Sequence, residues 1–280
     1  MTPLTFTLVT FVISIAAGLL GSLLGLGGGI IVIPALTLFL HIDIRFAIGA
    51  SIVSVIATSS GAAAAYVRER MTNLRVAMLL EIATTTGALT GALIAGFIQV
   101  RWLFVVFGLM MGYSALVMLR HHGARACAPV PPDRWADKFR LHDSFFDPAT
   151  GQNVAYRVTH TRLGLILMYF AGAVSGLLGI GSGSLKVPAM DLAMRLPIKV
   201  STATSNFMIG VTAAASAGIY FMRGDIDPFI AAPVAAGVLI GATLGSRLLG
   251  RLQSQVIRVS FVLVLIWVSG EMLYRGITGP

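Results

Sequence analysis

Residues 17–35 read AGLLGSLLGLGGGIIVIPA, and residues 171–189 read AGAVSGLLGIGSGSLKVPA. Laid over each other without a gap, at an offset of 154, they agree at nine of 19 positions: Ala17, Gly18, Leu23, Leu24, Gly25, Gly27, Gly29, Pro34 and Ala35. The register holds beyond this stretch. Ser51 falls on Ser205, Thr58 on Thr212 and Tyr66 on Tyr220, while Gly87, Gly91 and Gly96 fall on Gly241, Gly245 and Gly250. Chance does not keep Gly and Pro in step for so long, so the chain is a duplication. Apolar units broken by Gly and Pro at matching places are a mark of membrane transporters.

The composition points the same way. Of the 280 residues 56% are hydrophobic and only 11% charged, against about 25% charge in a typical soluble domain. Mean hydropathy is +0.88. Such a chain cannot cover a water-facing surface, which excludes a soluble enzyme, a nucleic-acid-binding domain and a disordered chain. The predicted fold class is an all-α polytopic membrane protein. Cys127 is the single cysteine and forms no internal disulfide. Residues 1–40 carry no Lys, Arg, Asp or Glu, so they lack the basic start of a secretory leader.

Apolar runs occur at 4–24, 30–40, 46–67, 76–98, 102–119, 163–178, 184–194, 200–222, 229–249 and 257–274. The runs at 30–40 and 184–194 rise only about 16 Å as helix, too short for a hydrocarbon core of about 30 Å. They are expected to be half-helices or the return arms of re-entrant hairpins, and the other eight to span. The chain thus divides into a transmembrane repeat at 1–119, a polar insertion at 120–162 and a second transmembrane repeat at 163–280. The insertion opens on Arg120, His121 and His122, and its stretch Ser144–Val158 flanks Asp147-Pro148-Ala149-Thr150-Gly151 with apolar residues, as a β-hairpin does. Its simplest role is a solvated linker; the alternative is a small cytoplasmic cap that gates the protein or makes it a homo-oligomer.

Basic residues orient the repeats, because they are retained in cytoplasmic loops. With an odd number of crossings per half, the inside loops are 68–75, 120–162, 195–199 and 247–258. They hold three, seven, two and three basic residues, fifteen of the twenty. Arg45, Arg101, Arg223 and Arg275 fall outside. A parallel arrangement separates the charges less well. The expected topology is therefore two inverted repeats with the insertion in the cytoplasm, and the net charge of +9 is an orientation signal.

The glycine knots Gly25-Leu26-Gly27-Gly28-Gly29 and Gly179-Ile180-Gly181-Ser182-Gly183 carry the candidate site. Backbone that leaves helical pairing at membrane depth must be buried in protein or line a wet cavity. Each knot starts a short helix whose first N–H groups suit an anion. Pro34 and Pro188 are expected to limit those helices. Gly87-x-x-x-Gly91 and Gly241-x-x-x-Gly245 are assigned instead to close helix packing.

Lys186 stands in the second short run where its repeat mate is Val32. An ionisable residue at this depth marks a functional site, and a cation beside free N–H groups suits an anionic substrate. Ser182, Ser184, Ser51, Ser205 and Asn206 complete the candidate substrate-binding set, with Thr58, Thr202 and Thr204 nearby. Glu81 and Glu271 fall near run ends and are expected at the solvent or interface. The five histidines show no metal spacing, and no nucleophile–base set or nucleotide-binding loop is present. Neither catalysis nor a cofactor or metal is expected.

The knots with Pro34 and Pro188, the small-residue segments Ala47–Ala65 and Ser201–Gly218, and Arg223-Gly224-Asp225-Ile226-Asp227 resemble the TauE/SafE sulfite exporter family. The resemblance covers about 1–118 and 163–275. It implies a transporter in the bacterial inner membrane for a small sulfur-containing anion such as sulfite, thiosulfate or an organosulfonate, working by alternating access. An anion channel, or a membrane subunit that docks a cytoplasmic partner through 120–162, are the alternatives.

Overall fold

The computed structural model describes residues 3–24, 27–68, 71–120, 132–147, 151–181, 183–248 and 254–278. In the first half, α1 (Pro3–Leu24) precedes the short α2 (Gly29–Pro34), which runs on as a π-helical turn over Ala35–Phe39. Then come α3 (Ile44–Arg68), α4 (Leu74–Ala95) and α5 (Val100–Arg120). The insertion holds α6 (Arg134–Lys138) and strands β1 (Asp143–Asp147) and β2 (Gln152–Tyr156). The second half consists of α7 (Thr161–Leu178), α8 (Gly183–Pro188) with its π turn (Ala189–Ala193), α9 (Ile198–Met222), α10 (Pro228–Leu248) and α11 (Ser254–Thr278). The starts of α2, its π turn, α3, α4 and α5 each recur 154 residues later.

Seven helices among the described residues are long and apolar enough to cross a membrane: α1, α3, α4, α5, α7, α9 and α10. The eighth long run forms α11, which has 25 residues. Large apolar side chains such as Leu8, Phe97, Trp102, Leu109, Leu263 and Trp267 are exposed on the outside of the bundle, where lipid is the matching solvent.

The short runs fold as expected in length but not in how they end. Neither Pro34 nor Pro188 stops its helix; each is followed by five π-helical residues. Proline removes one backbone donor and crowds the carbonyl four residues back, and the wider turn makes room for that. Both segments close alike. His41 and Arg195, repeat mates, take left-handed φ angles of 53° and 57°. Ile42 N–H then donates to Leu36 O, and Leu196 N–H to Met190 O, both at 3.0 Å.

Glycine sets the packing between halves. On α10, Gly237 and Gly241 lie against Phe11 O and Ile15 O of α1. On α4, Gly87 and Gly91 lie against Tyr169 O and Ala173 O of α7, while Gly172 and Gly176 of α7 lie against Thr84 O and Ala88 O. Residue numbers rise together across both interfaces, so the partners run parallel. By contrast α5 and its repeat mate α11 are antiparallel: Gly112 meets Ser269, Gly108 meets Leu273, and Arg101 Nε donates to Gly276 O at 2.9 Å.

The hairpin forms, with Phe145 opposite Val154 and Asp147 opposite Gln152; residues 148–150 of its turn lie outside the described residues, as do His121, His122 and Cys127. Residues 132–160 are not a solvated linker. Ala136, Leu141, Phe145 and Val158 are buried in one cluster with Val76, Leu80, Met190, Met194 and Met208 of the bundle. The hinge of this cap is Asn73. Its side chain accepts from Val76 N–H to cap α4 and donates to Leu141 O and Tyr156 Oη, both at 2.9 Å, while its N–H reaches Thr204 Oγ1 at 3.1 Å. Burial pushes the Tyr156 phenol up to about 12, so it stays protonated at physiological pH.

Gly91→Ala or Gly176→Ala places a methyl against facing backbone and is expected to destabilise by about 1–3 kcal/mol. Gly218→Ala, with nothing within 4 Å of its Cβ position, should be neutral or stabilising. Thermal unfolding in detergent distinguishes them; equal melting shifts contradict this packing.

Candidate functional site

The two knots meet in the middle of the bundle. Gly27 and Gly181, repeat mates, have φ angles of 77° and 76°, a conformation open to glycine at little cost. A Cβ on Gly27 lies 3.5 Å from Ile180 O, and one on Gly29 lies 3.2 Å from Ile180 Cα. Gly27, Gly28, Gly29, Gly179, Gly181 and Gly183 are all buried. Gly25, Ser182 and the side chain of Ser184 lie outside the described residues.

Central helices supply partners to this unwound backbone. Gly28 N–H donates to Thr58 Oγ1 at 3.3 Å, so that donor is already engaged. Ser51 Oγ donates to Gly179 O at 2.7 Å, joining α3 to the opposite knot. The tyrosine mates repeat one bond: Tyr66 Oη donates to Ser22 O at 3.1 Å, and Tyr220 Oη to Gly176 O at 2.7 Å. Ser205 is buried and partnered. Asn206 Nδ2 donates to Ser22 O at 3.2 Å, whereas its buried Oδ1 has no partner among the described residues.

Lys186 is 0% exposed, so it does not snorkel to the surface. Its Nζ donates to Thr212 Oγ1 at 2.6 Å, and that oxygen lies 2.6 Å from Glu81 Oε1. Met208 O, 2.9 Å away, is a second acceptor for the same hydroxyl hydrogen. Thr85 Oγ1 donates to Glu81 Oε1 at 3.1 Å. Glu81 Oε2 is buried without a partner among the described residues. A lysine on α8 is thus joined through a threonine on α9 to a carboxylate on α4, which belongs to the other half. Buried charges persist only when paired in this manner.

Glu81 corrects the expectation of a solvated or interfacial acid: it is only 8% exposed. Glu271 is half-buried and pairs with Arg275 at 3.4 Å. Thr212 and Glu81 are the residues that sequence reasoning missed. A signal was available in the repeat register, for Lys186 stands opposite Val32 and Glu81 opposite Ala235. Polar residues that break the symmetry cluster in one of two equivalent places. Above them sits the insertion, since Leu80 and Met190, close in sequence to Glu81 and Lys186, pack in the cluster with Leu141 and Phe145. Among the described residues no group of His, Cys, Asp and Glu could hold a metal.

Membrane-length helices packed around two broken short helices, with a buried lysine and glutamate between them, suit a membrane transporter. The family model for the sulfite exporter TauE/SafE matches residues 10–272, and the chain belongs to that family. It is 28% identical to the probable membrane transporter protein YunE of Bacillus subtilis, over 96% of this chain and 98% of that protein. A probable membrane transporter protein of Xylella fastidiosa is 29% identical, over 96% and 97% of the two chains. The probable membrane transporter protein MJ0441 of Methanocaldococcus jannaschii is 22% identical, over 91% and 90%. No solved structure matches.

Removing one partner of a buried pair costs on the order of 3–5 kcal/mol. Lys186→Met and Glu81→Gln should each lower stability, and the double variant should lose less than their sum by at least about 1 kcal/mol. Unfolding measurements on the four proteins of this cycle check it; strict additivity removes the pair.

Proposed function

We propose that this protein is a secondary transporter that moves a small sulfur-containing anion, such as sulfite, thiosulfate or an organosulfonate, across a bacterial inner membrane by alternating access. The observation that carries this proposal is Lys186, a fully buried cation within a spanning bundle. Substrate binds between the knots and Lys186, with Gly25, Gly27, Gly28, Gly29, Gly179, Gly181, Ser182, Gly183 and Ser184 supplying backbone and hydroxyl groups, and Ser51, Ser205 and Asn206 lining the site. The unpartnered Oδ1 of Asn206 supports a role for that side chain toward a ligand group that carries a hydrogen.

The units that rock against each other are the halves 1–119 and 163–280, as inverted repeats. Antiparallel packing of the mates α5 and α11 supports the inversion, as does the placing of basic residues. The insertion 120–162 faces the cytoplasm and covers the site from that side.

Counterflow separates a carrier from a channel. Liposomes loaded with unlabelled sulfite or thiosulfate should transiently accumulate labelled anion; flux without saturation or counterflow contradicts a carrier. Lys186→Ala should weaken transport at least tenfold, about 1.4 kcal/mol of substrate attraction, and unchanged kinetics remove Lys186 from the site. For topology, a cysteine at Asp225 in a cysteine-free background should label with an impermeant maleimide on intact cells, while native Cys127 should be protected. The reverse pattern overturns the inverted arrangement.

A further inference from the structure

We propose that Glu81 is the proton-binding residue of this transporter, coupled through Thr212 to anion binding at Lys186, so that each anion crosses with a proton. The proposal rests on the anion-transport function above and names how that same site is driven.

The geometry supplies the coupling. One ammonium and one carboxylate share a single hydroxyl, each 2.6 Å from it. An anion that takes the ammonium of Lys186 leaves Glu81 as a second negative charge beside one cation. Two anionic groups sharing a buried site are held together only when a proton joins one of them. Glu81 Oε2 is the free position for that proton, being buried and without a partner. Protonated, the carboxyl no longer competes for the ammonium, and the substrate has it alone. Anion binding and proton binding therefore favour each other, and the effect is reciprocal.

Other ionisable groups stand on the neighbouring helices among the described residues. On α9, Lys199 lies thirteen positions before Thr212, and its nearest following ionisable group, Tyr220, bonds to Gly176 O. On α7, Arg162 stacks over Trp135 of the insertion, and Tyr169 faces Thr90. Asp191, Arg195 and Lys199 have partners of their own. The symmetry-related place holds Val32, Thr58 and Ala235, where Thr58 accepts the Gly28 N–H instead of an ammonium. The acid and the lysine occur together in one half-site and are both absent from the other, as expected for two members of one device.

The sign follows. Affinity for the anion rises as pH falls and drops as pH rises, because only the ionised carboxylate competes for the ammonium. Thiosulfate is a suitable probe, since its own charge is constant from about pH 5 to pH 8. The full chain in liposomes should accumulate thiosulfate when an inward proton gradient is imposed, and a pH dye should register about one proton per anion. Its apparent affinity should increase at least about tenfold from pH 8 to pH 5. In Glu81→Gln, counterflow should persist at an altered rate, accumulation driven by the gradient should vanish, and the pH effect on affinity should fall below about twofold. Net thiosulfate uptake by the native protein without any proton movement overturns the proposal, as does a Glu81→Gln protein that responds to the gradient like the native one. Absence of counterflow for every sulfur anion tested strikes the transport function itself. If Glu81→Gln does not fold, the proton count of the native protein decides, and a count of zero is fatal.

Discussion

An ammonium group without water contact, inside a bundle that spans a membrane, has to be neutralised by something held as firmly as itself. Lys186 is in that position, and much of the structure follows from it. The chain meets the requirement with a hydroxyl from α9 and a carboxylate from α4, so the charge in the second half is balanced from the first. The contact is also a mechanical link. In the proposed transport cycle, motion of one half against the other stretches it, and a ligand that replaces the carboxylate releases it. A site whose internal counter-ion is exchangeable is suited to an anionic cargo.

Around this pair the backbone needs support of its own. The knots leave regular helix at membrane depth, and each freed group has to find a partner in protein. Thr58 and Ser51 on α3 provide two of these partners, and Tyr66 and Tyr220 hold the ends of α1 and α7 by equivalent bonds. Glycine lets the layers approach closely enough for such short side chains to reach. The parallel contacts of α1 with α10 and of α4 with α7 cross from one half to the other, so neither half packs alone. On the cytoplasmic side of this proposal, the insertion seals the same region with an apolar cluster.

What could be read from the sequence was what local pattern specifies. The duplicated Gly-and-Pro stretch, the eleven-residue helices, the hairpin flanking residues 147–151 and the isolation of Lys186 each show in spacing or composition. Glu81 was misjudged because distance from the end of an apolar run measures depth poorly. It lies only seven residues into α4, yet α9 and the cap bury that end of the helix. The cap itself was hidden by its average polarity: Ala136, Leu141, Phe145 and Val158 are few among charged neighbours, and only tertiary packing brings them onto one face. Thr212 was legible as the mate of Thr58 but not as a bridge. A threonine in a membrane helix is expected to bond the preceding turn, and the 2.9 Å contact with Met208 O is that bond; the approach of Lys186 and Glu81 to the same oxygen depends on helices distant in sequence.

The most direct measurement is the position of a bound oxyanion. Selenite, the selenium counterpart of sulfite, can be located by anomalous scattering in crystals of the full chain. The account predicts selenium within about 4 Å of Lys186 Nζ, the range of a close ion pair, with the Glu81 carboxylate withdrawn from Thr212. Selenium bound elsewhere, with the lysine, threonine and glutamate still joined, contradicts it.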